Sequence, residues 1–391
     1  MTARGLYTLL FGALMLATAL SVGSPGAFLL GAAALIATAL SLLSVLLLAA
    51  TLRVTQELGT AQAGRGESCV YTVSARAFAL LPAAPVALTI SLPSGRTGEY
   101  MLPLRFIGET ASENRFPCPH VGVYPVGIVR MALTDSLGLF RITRRPAQKP
   151  QALTVLPVPQ ETAPIPFSPG EGESSAAQRA QADRTTPEDT RAWQEGDELG
   201  RVHWKLSVRR QKLMVHTYEV PQRPDALVLL DCAAPDAAPV QIPYMIDALT
   251  QACAGVLRAL LEEGRSTRLP LTGGAPREIS GQSAEALPAM LEALAQQDFT
   301  GADDFTRALY LASRRMRRTG STVILTTRLT PALADAAIAL SRMGPRTRLV
   351  LVSAHPATPA QEKLMLLLIS SGVEAVHEQA AMPRRAAEVT R

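Results

Sequence analysis

The chain has 391 residues, of which 48% are hydrophobic, 18% charged and 5% aromatic, a profile that excludes wholesale disorder and leaves room for two or three packed domains. A net charge of +5 in a chain so poor in aromatics is no nucleic-acid-binding signature. The slightly positive mean hydropathy has its source in the first fifty residues.

Gly5 to Val22 and Gly26 to Ala50 carry no charge, and Gly23-Ser24-Pro25-Gly26 separates them. Each run is long enough to cross a hydrocarbon core of about 30 Å as a helix. Residues 1–52 are therefore predicted to be a transmembrane helical hairpin with spans near 5–22 and 26–50. A cleaved signal peptide would have a shorter apolar run with no second span directly behind it. Arg4 flanks one end of the hairpin, Arg53 and Arg65 flank the other, and the connecting loop is uncharged. The positive-inside bias then places both ends in the cytoplasm, giving a multi-pass protein of the inner (plasma) membrane with cytoplasmic soluble domains. Anionic lipid is a sufficient partner for the small positive surplus.

From 53 to 159 the pattern changes to short β-rich runs such as Cys69–Val73 and Val86–Ile90, punctuated by proline and glycine. This spacing predicts an antiparallel β-sandwich domain of immunoglobulin-like or related type. Residues 160–187, with Pro164, Pro166, Pro169, Gly170 and Gly172 followed by a polar stretch, read as a linker or mobile loop. From 224 to 379 strand-like runs (226–230, 323–326, 348–352) alternate with amphipathic stretches (242–262, 331–342, 359–370), which predicts a doubly wound α/β domain before a tail at 380–391. A further helix is expected over 302–318, with Phe305, Leu309, Ala312 and Met316 on one face. Asp303 and Asp304 at its start, and Arg314, Arg315, Arg317 and Arg318 at its end, suit the helix dipole.

Catalytic and metal motifs are conspicuous by absence. Cys69, Cys118, Cys232 and Cys253 are scattered without zinc or redox spacing and read as small buried hydrophobes in a reducing compartment. His120, His203, His216, His355 and His377 stand apart, none at ligand spacing from another ligand. The sequence holds no phosphate loop, dinucleotide turn, nucleophile elbow, His-Glu-x-x-His helix or serine-lysine motif, and no cofactor is indicated.

The densest unusual segment is 188–223, which holds both tryptophans. Asp197 is expected to cap a short helix over about 198–209, with Leu199, Val202 and Leu206 on its buried face. Arg201, Lys205 and Arg209 recur every four residues as a basic stripe, with Asp197 one turn before Arg201. The helix either seals two domains together or offers a docking face for an acidic partner.

The run Arg191-x-Trp193-x-x-Gly196-Asp197-x-x-x-Arg201-x-x-Trp204-Lys205-x-x-x-Arg209-x-x-x-Leu213-x-Val215 resembles the signature of domain-of-unknown-function family 58. Upstream, Gly122-Val123-Tyr124-Pro125-Val126-Gly127 and Asp135-Ser136-Leu137-Gly138-Leu139-Phe140 look like a second segment of that family, with Leu137 where phenylalanine is commoner. The resemblance implies a bacterial membrane protein with a β-domain, a von Willebrand A-like domain and a MoxR-type AAA+ ATPase as partner. In metal-binding domains of that type the first strand ends in Asp-x-Ser-x-Ser, whereas here it reads Asp231-Cys232-Ala233-Ala234-Pro235. The later aspartate is also missing from Val323-Ile324-Leu325-Thr326-Thr327-Arg328, so Asp231 marks a degenerate position and no metal is expected. The leading expectation is a non-catalytic membrane-anchored adaptor. Alternatives are a hydrolase or transferase at the membrane surface using Asp231, Asp197 or His203, and a purely structural subunit of a membrane complex. Oligomeric state, partner identity and cellular process are not encoded in any motif.

Overall fold

The computed structural model describes residues 1–77, 84–104, 109–166, 189–194, 202–217, 225–272, 277–300, 305–313 and 319–383. Two units emerge, Met1–Val158 with Leu291–Gln296, and Pro159–Met290 with Gln297–Arg391.

The first unit begins with two apolar helices packed together, α1 (Ala3–Val22) and α2 (Pro25–Thr51). Thr2 and Ser24 cap their amino ends by accepting from the backbone N–H groups of Gly5 and Ala27. Gly23, left-handed at φ 72°, closes α1. The helices approach closely because Gly31 has no side chain, since a Cβ there would meet Leu16 N at 2.9 Å and Gly12 O at 3.0 Å. Length and composition suffice for both to cross a membrane, and most of their large side chains face outward. A third helix of the described residues meets the same criterion, but it lies mostly buried in the second unit.

The β-rich region that follows comprises β1 (Arg53–Leu58), β2 (Gln62–Gly64), β3 (Ser68–Arg76), β4 (Val86–Ser91), β5 (Thr97–Leu102), β6 (Glu109–Pro117), β7 (Gly122–Thr134), β8 (Arg141–Arg144) and β9 (Gln151–Leu156). One sheet runs β1-β3-β6 and the other β2-β9-β7-β4-β5, with β8 also on β7. In β3 every second residue is buried, the period-two pattern of a strand with one face on the core. The expected antiparallel pairing holds except that β2 runs parallel to β9, a pairing between strands remote in sequence that needs no hairpin.

Two buried polar side chains hold this unit in register. Gln56 uses its whole amide: Nε2 donates to the carbonyls of Gln148 and Lys149, while Oε1 accepts from Tyr71 Oη at 2.6 Å and Ile128 N at 2.8 Å. Gly127 lies alongside with φ 152°, where a Cβ would press on Gln56 Oε1 at 2.9 Å. Burial pushes the Tyr71 hydroxyl pKa well above its ordinary value.

Asp135, in the turn between β7 and β8 and only 4% exposed, accepts hydrogen bonds from Ser41 Oγ of α2, from Leu137 N at 3.1 Å and from Phe140 N at 2.6 Å. Thr2 N donates to Leu139 O at 2.9 Å, and its hydroxyl reaches the carbonyls of Gly138 and Leu139. Gly5 must stay a glycine here, because a Cβ would collide with the Leu139 carbonyl oxygen. Arg144 Nη1 donates to the Ala49 carbonyl near the end of α2.

In the second unit the six-stranded sheet runs β14-β13-β12-β15-β16-β17. Its strands are β12 (Asp225–Leu230), β13 (Thr267–Leu271), β14 (Arg277–Gly281), β15 (Thr319–Thr326), β16 (Arg346–Ser353) and β17 (Glu374–Gln379). All neighbours are parallel except β13 and β14, so this is a mixed α/β sheet. A separate pair, β10 (Asp189–Ala192) and β11 (Met214–Thr217), brackets α3 (Trp204–Arg210). The remaining helices of the chain are α4 (Ile242–Glu262), α5 (Leu287–Ala295), whose residues from 291 on are counted with the first unit, α6 (Phe305–Ser313), α7 (Pro331–Ser341) and α8 (Pro359–Ser370). Thr330 and Thr358 cap α7 and α8, the latter in a reciprocal capping box with Gln361, and each is followed by proline at a position tolerant of its missing N–H.

The first residues of the expected linker, 160–166, lie along the second unit. Buried Arg348 donates to the carbonyls of Ala163 (2.9 Å) and Pro164 (2.5 Å) and forms a two-point pair with Glu374. Gly255 in α4 leaves room for the Gln160 carbonyl. The rest of that linker, the acidic start and basic end expected for the 302–318 helix, and the end of the 380–391 tail fall outside the described residues. All four cysteines are buried and none forms a disulfide, and burial pushes the Cys118 thiol up to about 11.

Burial opposes ionisation of Asp135, but the hydrogen bonds from Ser41 and the turn's N–H groups prevail and hold its pKa below the ordinary carboxylate value. Its contribution is therefore complete above about pH 4 and is lost as the pH falls through the lowered value. Asp135→Ala, which strands Ser41 and two backbone N–H groups, is expected to lower the unfolding free energy of the detergent-solubilised chain by about 3 kcal/mol at neutral pH. Denaturant unfolding of wild type and variant at pH 7 and pH 3 checks this, the gap narrowing at the lower pH.

Candidate functional site

In an open sheet with this strand order, the crevice for a ligand opens at the carboxyl ends of the strands where the order reverses, which is between β12 and β15. Asp231 directly follows β12 and is 1% exposed. Its Oδ2 accepts from Thr326 Oγ1 at 2.8 Å, its Oδ1 accepts from Ala233 N at 3.1 Å, and Arg328 Nη2 lies 3.7 Å from Oδ1. Thr326 belongs to β15 and Arg328 follows it, so parallel pairing of the two strands carries the carboxylate to both. A carboxylate so engaged, beside a guanidinium, has little capacity to serve a divalent cation. Among the described residues, no three His, Cys, Asp or Glu side chains are grouped to hold a metal.

His355 and His377, which stand apart in the sequence, find polar neighbours at this end of the sheet. Ser353, the last residue of β16, donates to the His355 carbonyl at 2.5 Å and lies 2.7 Å from His377 Nε2 of β17. Buried Gln241 places Nε2 3.4 Å from His355 Nε2. Histidines remote from one another in sequence are thus drawn to one sheet edge by strand register, for which no local motif gives warning.

The 188–223 segment is organised differently from its sequence expectation. The described helix is α3, Trp204–Arg210, and its cap is His203, whose Nδ1 accepts from Leu206 N at 3.2 Å. Asp197 and Gly196 lie outside the described residues, as do Leu199 and Arg201. A helix beginning at 204 cannot take its cap from Asp197, and Arg201 precedes it, so of the predicted basic stripe only Lys205 and Arg209 share this helix. Val202 is buried and bridges to Val215 of β11. Arg191 pairs through its backbone with Val215, and half-buried Trp193 donates its N–H to Leu213 O at 2.8 Å. Ser207 fastens the helix down, since its hydroxyl donates to His203 O at 2.9 Å and accepts from Met214 N at 2.8 Å. Outward from this frame stand Trp204 (61% exposed) and Val208 (77%), one helical turn apart, together with exposed Lys205 and Arg209.

A family described as "Protein of unknown function DUF58" matches residues 189–364. No curated protein matches the sequence. Among solved structures, the chain is similar to a CARDB domain from Pyrococcus furiosus at 14% identity and a TM-score of 0.19, covering 27% of this chain and 87% of that one. It is also similar to an exo-β-N-acetylglucosaminidase from Vibrio harveyi, at 10% identity and a TM-score of 0.20 over 84% of this chain and 82% of the other. A third is Cwp6 from Clostridium difficile, at 8% identity and a TM-score of 0.20, covering 85% and 55%.

Trp204→Ala, at an exposed position, is expected to change the unfolding free energy by less than about 0.5 kcal/mol. Thr326→Val, which removes the hydroxyl from buried Asp231, is expected to cost about 1 to 3 kcal/mol. Thermal unfolding of the two variants beside wild type separates an exposed aromatic from a buried pairing.

Proposed function

We propose that this chain, whose residues 189–364 belong to the DUF58 family, is a non-catalytic adaptor that the α1–α2 hairpin anchors in the inner membrane with its remaining parts in the cytoplasm. In this reading the β-rich region is a β-sandwich. The C-terminal sheet, with one antiparallel edge strand, is a von Willebrand A-like domain whose metal position is degenerate.

The observation that carries the reading is the outer face of α3. A tryptophan and a valine held out to solvent beside Lys205 and Arg209, on a helix fixed from behind by Ser207, suit an acidic protein surface with an apolar centre. The resemblance to the family supplies the partner class, a MoxR-type AAA+ ATPase. Support for a non-catalytic role comes from the polar groups that an enzyme reading would employ. Asp231 is buried and engaged by Thr326, Ala233 and Arg328, and His203 has its Nδ1 committed as a helix cap.

The test is affinity capture of a purified MoxR-type ATPase on the full chain in detergent, comparing wild type with a Trp204→Ala, Lys205→Glu, Arg209→Glu variant, with and without ATP. Retention by wild type that depends on nucleotide and falls at least tenfold in the variant supports the adaptor. Equal retention by both removes α3 as the docking face, and retention indifferent to ATP favours a purely structural subunit.

A further inference from the structure

We propose that the turn Asp135–Phe140 is a second membrane-contacting element, which seats Leu137 in the boundary between lipid headgroups and acyl chains beside the Arg4 guanidinium. The partner is the phospholipid interface itself, and the inference rests on the reading of α1 and α2 as a membrane hairpin.

The level of the turn along the hairpin decides the matter. The 20 residues of α1 extend about 30 Å, the thickness of the hydrocarbon core, so its first turn lies at one boundary when its last lies at the other. That first turn is where the loop is attached, through Thr2 N to Leu139 O, the Thr2 hydroxyl to the Gly138 carbonyl, and the close passage of Leu139 over Gly5. The attachment on α2 gives the same level. Ser41, which donates to Asp135, lies about 24 Å along that helix from Pro25 at the hairpin tip. Both helices thus place the turn within a few ångströms of the hydrocarbon edge.

The chemistry of the turn suits that depth. Turns exposed to water favour glycine, proline and small polar residues, yet Leu137 stands 54% exposed between Ser136 and Gly138, the latter at φ 70°. Around the same level the helices present exposed Leu6, Tyr7, Leu42 and Leu46, so Leu137 continues an apolar surface already facing outward. Asp135, the one acidic group of the turn, is directed inward onto Ser41 and does not oppose contact with lipid. Exposed Arg4, whose guanidinium lies beside Gly138, and exposed Arg141 just after the turn supply cations at headgroup height. Two attachments to the bilayer, hairpin and turn, would stop the β-rich region from swinging about the end of α2.

The full chain is reconstituted in vesicles of phosphatidylcholine and phosphatidylglycerol, with a fluorescent label on a single introduced cysteine. The native cysteines are buried and leave the introduced one as the accessible thiol. Leu137→Cys is compared with Leu10→Cys on the outer side of α1 and with Met101→Cys, an exposed position of β5. The expected result is quenching of the label at 137 by a shallow lipid-borne nitroxide, with aqueous iodide quenching several-fold weaker than at 101. A label at 137 as open to iodide as the one at 101, while the label at 10 is quenched from the lipid, overturns the second contact and leaves the hairpin standing. Iodide access at both 10 and 137 overturns the membrane reading and this inference with it.

Discussion

Burying a polar group is costly unless its hydrogen-bonding capacity is met, and the folded arrangement depends on a few places where that is done across long stretches of sequence. Asp135 is the foremost. An isolated carboxylate against an apolar helix would be costly, but with Ser41 and the N–H groups of its own turn directed at it, it becomes one point where α2 meets the β-rich region. Gln56 does the same between β1, β3, β7 and the 148–149 carbonyls, with every donor and acceptor of its amide used. In the second unit Arg348 binds the 163–164 carbonyls and Glu374 at once, which ties this part of the proline-rich segment to β16 and β17. Removal of any of these partners would leave an unpaired buried group, which is why each fixes one crossing of the chain.

The same rule shapes the sheet edge where a ligand would be sought. The strand order opens a crevice between β12 and β15, and Asp231 stands there, yet Thr326, Ala233 and Arg328 already engage its carboxylate. Elsewhere the fold leaves large side chains outside. On α3 Ser207 secures the inner side of the helix, and Trp204 and Val208 are thereby left on its outer side. Around the α1–α2 pair, glycine contacts bring the helices together and most of the leucines face outward.

Much of this was legible in local sequence. The two uncharged runs and their Gly-Ser-Pro-Gly break specify the helix pair, the alternation in residues such as 69–73 specifies strands, and the strand-then-helix succession after 224 specifies a mostly parallel sheet. The signature residues at 191–215 located the family segment, which the family match over 189–364 bears out. Less legible were the helix boundary at 204 and its histidine cap, because Asp197 is the more usual cap residue and nothing local to the sequence shows that Val202 is drawn into a bridge with Val215.

By itself, then, the sequence determined the helix pair, several of the strands and helices after 224, which stretches are apolar enough for a membrane, and the resemblance that the family match over 189–364 bears out, since these depend on periodicity, charge and spacing within a few turns of chain. Only the tertiary structure decided that Thr326 meets Asp231, that Ser41 meets Asp135, that Ser353 draws in His377, and that Trp204 faces outward. The physical reason is that strand register and helix packing set those distances, and both are settled by burial summed over residues far apart in sequence.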